Sequence, residues 1–503
     1  MRSIALALSC LGALFTSFSA ADSNLTKPLS SKQILSSSFK PPQVFRNVNL
    51  VRNVNLEKEY PRETINVIIE NVDAQPQAEY YLPFEAGLIA RVGGLEARDK
   101  KDASKGAFQA EVVEYDTYRY DCITFSPTEF YLIHLPEPLA PSAQQTLSIS
   151  YTVLSALEPL PASIGQMEQQ YVQYTFSAYT PSAYPTSKQK TKLKFPSANI
   201  PDYTILPSPN ADGTEDPQKQ GSTFTYGPYS DIPAGAAESV SVRYEFTKPL
   251  IHATLLERDI EVSHWGGNLA TEERYWLVNR GATLKNHFSR VQWQMAAYAN
   301  PPTSALKELK VPLRGGVMNP YFTDDIGNVS TSRFRSDDRE ALLELRPRYP
   351  VFGSWKYSFR IGWDADLSGY LRRLKIGGSY VLKVPFLEGP RMAEGVEYEK
   401  VIVRVVLPEG AKNVKWETSV PLVGSEVSLH RTFMDTQGRT TLKLTALNLV
   451  DEWRDRDIVV TYDYPWTAGF RKPVTIFAAV LVVFAVAWAV GSVDTSIAAR
   501  QKR

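Results

Sequence analysis

The sequence predicts a mainly β protein, with two tandem β-sandwich-like domains followed by a single C-terminal transmembrane helix. Short runs rich in Tyr, Phe, Val and Thr alternate in polarity and are separated by Pro, Gly, Asn and Asp, as strands and turns are. Helical periodicity is hard to find between the two ends of the chain, and a long uncharged apolar run lies near the C-terminus. We therefore expect sandwiches outside the membrane and one helix within it.

The clearest strand patterns are runs in which apolar and polar residues alternate, so that one face of each strand would be buried. They are 64–70 (TINVIIE), 145–153 (QTLSISYTV), 239–246 (SVSVRYEF), 400–407 (KVIVRVVL) and 457–464 (DIVVTYDY).

The N-terminus has the layout of a secretory signal peptide. Arg2 supplies a positive charge, an apolar stretch follows from Ile4 to Phe18, and small residues lead up to Ala21. The stretch is too short to span a bilayer comfortably. We expect residues 1–21 to be a signal peptide that is removed by cleavage after Ala21.

The apolar run at 473–493 has no charged side chain. At about 1.5 Å per residue it is about 31 Å long as a helix, which matches a hydrocarbon core of about 30 Å. A cleaved signal peptide would place residues 22–472 in the lumen or outside the cell and leave 494–503 as a cytosolic tail. A tail that short cannot hold a folded domain, so we expect any activity in the lumenal part or the membrane helix.

Two pairs of segments suggest an internal duplication. SVSVRYEFTKP ends near Pro249 and DIVVTYDYPW near Pro465, while EYPRETINVIIENV and GGNLATEERYWLVNRG each run through polar residues into a strand that ends in Asn. We predict two lumenal β-domains of similar size, at 22–249 and 250–472. Chance similarity stays open as an alternative, because β proteins share such patterns freely.

Net charge and cysteine content indicate which partners and which compartment to expect. A formal net charge of +1 argues against nucleic acid as a partner, because that partner calls for a basic surface. Cys10 leaves with the signal peptide, so Cys122 has no intramolecular partner, and the lack of disulfides favours a resident of the endoplasmic reticulum over a cell-surface protein. We interpret Cys122 as a buried, inert thiol.

Two N-glycosylation sequons are present, at Asn24 and Asn328. Asn328 follows a polar turn where a glycan would lie on the surface, and we expect it to be used. Asn24 is almost at the predicted mature N-terminus, and its occupancy stays open.

A search for catalytic chemistry finds little. The five histidines are scattered without metal-ligand spacing, and no nucleophile elbow or phosphate-binding glycine loop occurs. We expect no cofactor and no metal. Carboxylate pairs leave glycosidase chemistry open, although solvated surface loops are the plainer interpretation. The pairs are Asp324 with Asp325, Asp337 with Asp338, and Asp364 with Asp366.

Two further patterns have a plain and a functional interpretation. The aromatic run at 171–184 indicates strand core, with a sugar- or peptide-binding face as the alternative. Lysines alternate along 188–194, so all four project from one face of a strand. That face is either solvated or part of a protected edge strand, unless it contacts acidic lipid or a partner.

The membrane helix carries small residues that would allow close approach of another helix. Ala485 and Ala489 form one small-xxx-small pair, and Ala487 and Gly491 form another. We hypothesise that they pack against other subunits. The alternative is that they are ordinary residues of a membrane helix and have no packing role.

Seven segments of the chain form an ordered set: YGPYSDIPAGAAESVSVRYEF from Tyr226, IEVSHWGGNLATEE from Ile260, GATLKNHFSR from Gly281, DDIGNVSTS from Asp324, LELRPRYPVFGSWK from Leu343, LPEGAKNV from Leu407 and LVDEWRDRDIVVTYDY from Leu449. Taken together, these segments resemble the ribophorin I family, whose members are the first subunit of the eukaryotic oligosaccharyltransferase.

The resemblance implies residence in the endoplasmic reticulum membrane, as a single-pass type I protein, and a role in asparagine-linked glycosylation. In that family a different, multi-spanning chain is catalytic, and its WWD-type signature is absent here. A chain like this one assembles or stabilises the complex and helps to present nascent polypeptide. The family therefore supplies no catalytic residue, and it implies as partners the other subunits, among them the catalytic chain.

The chain departs from the animal members, which continue into a sizeable cytosolic domain after the membrane helix. It resembles the shorter fungal form, which puts any role of a cytosolic domain in doubt. Two other functions stay open, namely a membrane-anchored lumenal hydrolase and a single-pass adhesion or receptor ectodomain.

Overall fold

The computed structural model describes residues 34–35, 39–85, 87–115, 128–207, 216–299, 301–375, 378–432 and 435–492. Within these residues the chain is mostly β-strand and ends in a long apolar helix, which confirms the predicted fold class. The predicted signal peptide, its cleavage site after Ala21, Asn24, Cys122 and the predicted tail at 494–503 lie outside the described residues.

The first unit, strands β2 to β18, contains three sheets. The largest has the strand order β16 (Gln218–Gln220), β17 (Thr223–Ile232), β14 (Thr186–Lys194), β2 (Phe45–Asn55), β3 (Arg62–Asn71), β10 (Gln144–Val153), β5 (Val92–Asp99), β6 (Ala107–Phe108). The second has the order β11 (Leu157–Pro159), β13 (Tyr171–Ser177), β18 (Ser239–Glu245), β15 (Asp202–Tyr203), and the third β4 (Gln77–Glu85), β9 (Thr128–Leu139), β7 (Ala110–Val112).

The second unit, strands β19 to β33, also contains three sheets. The largest has the order β23 (Met318–Asp324), β26 (Lys356–Asp366), β20 (Asn268–Asn279), β19 (Ile251–Ser263), β29 (Glu397–Val406), β32 (Arg439–Val450), β31 (Gly424–His430). The second has the order β27 (Leu371–Arg373), β28 (Ser379–Pro385), β33 (Asp457–Asp463), β30 (Lys412–Thr418), and the third β22 (Leu309–Arg314), β25 (Glu340–Leu345), β24 (Arg333–Ser336).

Short elements complete the structure. They are the strand pairs β1 (Ile34–Leu35) with β8 (Glu114–Tyr115) and β12 (Ser163–Ile164) with β21 (Thr283–Leu284), the 3-10 turns Ile89–Arg91, Ala103–Lys105, Leu367–Gly369 and Asp451–Asp455, and the helices α1 (Arg290–Ala297), α2 (Trp466–Gly469) and α3 (Arg471–Gly491).

The two units share one sheet topology. In each, the first long strand pairs antiparallel with the second and parallel with a strand from much later in the chain: β2 with β3 and β14, and β19 with β20 and β29. The smaller sheets also correspond strand for strand, β11-β13-β18-β15 to β27-β28-β33-β30 and β4-β9-β7 to β22-β25-β24. The shared strand order is what a duplication would produce, and both the duplication and the division at residues 249 and 250 stay predictions.

The five predicted strand segments coincide with β3, β10, β18, β29 and β33. The alternation of apolar and polar residues corresponds to alternating burial in the structure. Strands β33 and β18, for example, bury every second residue and leave the others partly exposed. The predicted membrane helix at 473–493 is shifted by two residues at each end, to Arg471–Gly491. Pro473 is accommodated because the first helical turn needs no amide donor at that position.

The structure decides between the alternative interpretations of two patterns. In the aromatic run, Tyr174, Phe176 and Tyr184 are buried, so strand core is confirmed over an open binding face. The lysines at 188–194 lie on the outward face of β14, but β14 pairs with β17 and β2 on its two sides. The idea of a protected edge strand is therefore wrong, since edge status depends on neighbours distant in the chain.

Polar contacts join the two units away from the membrane helix. The Tyr60 hydroxyl donates to Asp451 at 2.5 Å, and the Lys58 ammonium lies 3.2 Å from the same carboxylate. The Asn448 amide donates to the Ala90 carbonyl at 2.7 Å. Because Tyr60 also belongs to the hydrophobic core of the second unit, the junction is both packed and hydrogen-bonded.

Candidate functional site

The sequon residue Asn328 is exposed in the turn that follows β23. Asp324 fixes this turn, because its carboxylate accepts hydrogen bonds from the amides of Ile326 and Gly327, each at 3.0 Å. The neighbouring Val329 is buried and holds the turn against the core. The Asn328 side chain therefore points away from a fixed surface turn, as an acceptor for a bulky glycan must.

In each carboxylate pair, one member caps a turn of its own segment: Asp324, Asp337 and Asp366. Burial opposes ionisation of Asp324, but the Arg348 guanidinium at 2.6 Å and the turn amides hold its pKa below the usual range. The amides of Glu340 and Arg339 lower the pKa of Asp337, and the Ser368 amide lowers that of Asp366. A glycosidase general acid needs a raised pKa, so these carboxylates have the opposite electrostatics.

Asp364 accepts hydrogen bonds from Asn268 at 2.9 Å and Asn319 at 3.2 Å, which ties it to neighbouring strands. No group of three or more His, Cys, Asp or Glu residues within the described ranges is placed to hold a metal ion. His252, for example, lies between Glu397 at 2.9 Å and Glu399 at 3.1 Å, as part of the junction.

Each unit instead buries an arginine on its first long strand against a glutamate on its second. In the first unit, Arg52 forms two hydrogen bonds of 2.8 Å to Glu63, which also accepts from the hydroxyls of Tyr151 at 2.6 Å and Tyr174 at 2.8 Å. Burial opposes ionisation, yet these four bonds hold the pKa of Glu63 below its usual range.

In the second unit, the Arg258 guanidinium binds both Glu273 and Glu388, the latter at 2.6 Å. Here two carboxylates share one guanidinium, and burial raises the pKa of Glu273. Sequence reasoning missed these pairs, because Arg52, Glu63, Arg258 and Glu273 all lie outside the five predicted strand segments. They are structural centres, because all of these groups lie inside the core.

An open cleft of about 880 Å³ lies where the two units meet, beside the sequon turn. Helix α1 contributes Trp293, the first unit contributes Met167, and the segment after β25 contributes Tyr349 with prolines on either side. The lining also includes Lys307 and Glu308 and a set of arginine and hydroxyl side chains: Ser330, Thr331, Ser332, Arg333, Arg346 and Arg348. An aromatic wall with a few convergent polar groups at a domain junction is typical of a binding site.

The cleft is held in shape from both units. The Gln166 side chain donates to the Ser289 carbonyl at 3.1 Å and accepts from the Ser289 amide at 2.9 Å. Ser289 in turn caps α1, with its hydroxyl accepting from the Gln292 amide at 3.4 Å. Sequence reasoning missed α1, since its eight residues are too few to show a helical period.

The base of the membrane helix is fixed to the second unit. Lys472 and Arg439 each lie 3.3 Å from the carboxylate of Asp435, whose side chain is inaccessible to solvent. Burial opposes ionisation of Asp435, but hydrogen bonds from Thr432 and these two cations lower its pKa to about 2. Arg471 donates to the Gln437 side chain at 2.5 Å. These contacts hold the first helical turn to the second unit, and we call the cluster of Asp435, Arg439 and Lys472 the helix socket.

Helix α3 itself is uncovered. It has a mean hydropathy of 2.6 and none of its most apolar window is buried against the described chain. By length and composition it is able to cross a membrane. The four small residues proposed for helix packing, Ala485, Ala487, Ala489 and Gly491, are all exposed on it and available to a partner.

Comparison with known proteins gives a consistent match. A profile of the ribophorin I family covers residues 45–491. The Schizosaccharomyces pombe protein named dolichyl-diphosphooligosaccharide–protein glycosyltransferase subunit 1 is 31% identical over 456 residues, which is 90% of this chain and 96% of that protein. The Caenorhabditis elegans protein of the same name is 32% identical over 85% of this chain and 69% of its own length.

An Arabidopsis thaliana protein named subunit 1B of the same glycosyltransferase is 30% identical over 92% of this chain and 96% of its own length. Among solved structures, yeast LTA4 hydrolase aligns over 43% of this chain and 32% of its own, with 9% identity and a TM-score of 0.27. A likeness of that degree carries no argument about function.

Proposed function

Because the chain belongs to the ribophorin I family, we propose that it is a non-catalytic subunit of an oligosaccharyltransferase complex. That complex transfers a dolichol-linked oligosaccharide to the Asn of Asn-x-Ser/Thr sequons in nascent polypeptides, and this chain stabilises it and helps to present the acceptor. The observation that carries the proposal is the match over residues 45–491, which includes both β units and the membrane helix.

The electrostatics of the described residues support a role without catalysis. Asp324, Asp337 and Asp366 cap turns, and their lowered pKa values suit ionised structural groups. The buried charge centres around Arg52 and Arg258 are enclosed by core side chains, so no substrate has access to them. The hydrolase and receptor alternatives have no corresponding support.

We place the two β units in the lumen of the endoplasmic reticulum, with α3 in its membrane. The exposed sequon at Asn328 favours this side, because the transfer of glycans to sequons takes place in the lumen. The lumenal location would put the cleft beside α1 on the same side as nascent polypeptide. An extended peptide offers backbone groups to the hydroxyls and guanidinium groups of the cleft, and side chains to Trp293 and Tyr349.

Acceptor presentation is testable by photo-crosslinking within the intact complex. A photoreactive amino acid in place of Tyr349 should capture a sequon-containing peptide, and the same residue in place of Tyr171, on the first unit, should not. Equal capture at both positions would contradict the proposal that the cleft binds the acceptor peptide.

The absence of catalysis is tested with the double variant Asp364→Ala and Asp366→Ala in a purified complex. We expect oligosaccharide transfer to continue at the wild-type rate when the complex is intact, because neither carboxylate takes part in the reaction. A complex that assembles normally but has lost transfer would contradict the proposal.

A further inference from the structure

The turns at one end of the second unit form the face from which the membrane helix leaves. β33 ends at Asp463, and only Tyr464 and Pro465 separate it from α2, which is followed directly by α3. β19 and β28 meet the same end, because the ring of His264 lies 4.5 Å from that of Tyr464 and 4.7 Å from that of Tyr380.

His264 joins these turns into one surface. Its Nε2 lies 2.7 Å from the Tyr462 hydroxyl, and burial lowers its pKa, so the imidazole is a neutral packing group. Tyr380 is also covered by the guanidinium of Arg373, 6.0 Å from the ring centre, which ties in the turn between β27 and β28. Three turns that are far apart in the sequence are therefore packed side by side around the start of the helix.

Each of these turns presents a large apolar side chain to solvent. We call them the apolar rim: Trp265 is 66% exposed, Leu374 46%, Trp466 77% and Phe470 56%. Trp265 stands at the tip of the β19–β20 hairpin, where Gly267 has a φ of +62° and makes the tight turn possible. Basic side chains adjoin the rim, with Arg372, Arg373 and Lys375 around Leu374 and Arg471 and Lys472 at the helix base.

Side chains of the first helical turn contact the second unit. Lys472 is held by Asp435, and Arg471 by Gln437, so the first helical turn is bonded to the β31–β32 hairpin. Trp466 and Phe470 directly precede α3, and the turns that carry Trp265 and Leu374 are packed beside that segment, so the rim lies at the level where α3 would enter a bilayer.

We propose that the apolar rim is a lipid-binding surface, by which the second unit rests on the bilayer at the entry point of its own helix. Tryptophan and phenylalanine with adjacent basic groups suit the membrane interface, where the ring is apolar and the phosphates are anionic. Continuity with the membrane helix identifies lipid as the occupant. The proposal holds for either orientation of the chain and does not depend on the proposed function.

The same strand pair offers a matched control. Trp276 lies in β20, eight residues beyond Asn268, which is about 27 Å along the strand from the hairpin tip. Its side chain is 38% exposed, so it is also accessible, but it lies towards the opposite end of the sheet. Of these two tryptophans, only Trp265 should be in reach of lipid.

The experiment uses the full chain in phosphatidylcholine nanodiscs whose acyl chains carry bromine near the carbonyl, a quencher of tryptophan emission at short range. Trp265→Phe should lower the bromine-quenched part of the emission relative to wild type, while Trp276→Phe should lower only the part that bromine leaves unquenched. A quenched part that is the same in Trp265→Phe and wild type would overturn the proposal.

A second variant keeps the test independent of how well Trp265→Phe folds. Leu374→Trp, at an already exposed position, should add emission that brominated lipid quenches. If brominated lipid leaves the added emission unquenched, position 374 does not contact lipid and the proposal is wrong there. Neither readout involves oligosaccharide transfer, so failure here is distinguishable from failure of the proposed function.

Discussion

At Arg258 the second unit encloses a guanidinium that is about 1% exposed, between two carboxylates. Removing one partner of a buried pair leaves an uncompensated charge in a medium of low dielectric constant, which costs far more than losing a surface pair. Arg52 and Glu63 in the first unit are similarly buried, so removing either of them should be costly for the same reason.

We therefore expect Arg258→Ala to destabilise the protein by about 3–5 kcal/mol, because Glu273 and Glu388 would be left buried without a cation. Lys443→Ala, which removes an exposed ion pair with Glu426 at 3.3 Å, should cost no more than about 1 kcal/mol and serves as the control. Urea unfolding of the full chain in detergent measures both. A cost for Arg258→Ala no larger than that of Lys443→Ala would contradict the assignment.

The sequon gives a second residue-level prediction. Asn328→Gln should remove one endoglycosidase-sensitive step in gel mobility without loss of fold, because the side chain is exposed and no partner for it appears in the described structure. Ser330→Ala should have the same effect, whereas Ser330→Thr should retain the glycan. A mobility that stays unchanged in Asn328→Gln would show that the site is not used.

Between the elements that join the two units lies the carboxyl group of Glu59, whose charged form is disfavoured by its surroundings. Burial raises the pKa of Glu59 well above its ordinary value, and the charges of Glu397 and Glu394 add to the effect. One of its oxygens accepts from the Ile251 amide, and the other has no hydrogen-bond partner in the described part of the chain.

An acid whose folded pKa is raised loses stabilisation as pH rises from its unfolded pKa, about 4.5, through its folded pKa. Glu59→Gln should therefore raise the melting temperature at neutral pH, and the gain should vanish below about pH 4. Glu63→Gln is the control of opposite sign: its folded pKa is lowered, so the variant should be less stable at neutral pH. Thermal unfolding of both variants between about pH 4 and 7 measures these changes. A higher melting temperature of Glu59→Gln that persists below about pH 4 would contradict the raised pKa of Glu59.

The helix socket gives the converse pH dependence. The pKa of Asp435 falls from 3.8 to about 2, so its contribution is present above about pH 4 and is lost as pH falls towards 2. Asp435→Asn should weaken the hold on Lys472 and Arg439, and amide exchange in the β31–β32 hairpin should become faster at neutral pH. Glu426→Gln on the same hairpin is the control, and equal exchange in the two variants would argue against the socket.

How far the sequence predicts the structure depends on whether the cause is local. The alternation in β3, β10, β18, β29 and β33 is a local pattern, and it identified all five. The neighbours of β14 and the contact of Arg258 with Glu388, 130 positions away, depend on how distant strands pair. The turn at Asn328 was predictable from its own polar residues, whereas the cleft and the apolar rim each combine residues from separate segments that no single motif indicates.

At the scale of the whole molecule, two units of one topology stand in series on a helix that is fixed to the second. We propose that the small residues of α3 are its means of contact within the membrane. Replacing Ala485, Ala487, Ala489 and Gly491 by Ile should reduce co-purification with partner subunits, because larger side chains prevent close helix approach. Ile at Val480, Val482 and Val486, similarly exposed β-branched positions, is the control, and unchanged co-purification in the first set would exclude this role.

We propose that this chain supports glycosyl transfer without performing it. Purification of the tagged chain in mild detergent, followed by separation of the complex from the free chain and an assay of oligosaccharide transfer to a sequon peptide, tests it directly. We expect transfer only in the fraction that also contains a multi-spanning catalytic chain, and none in the free chain. Transfer by the free chain, or a chain recovered without any such partner, would contradict the claim.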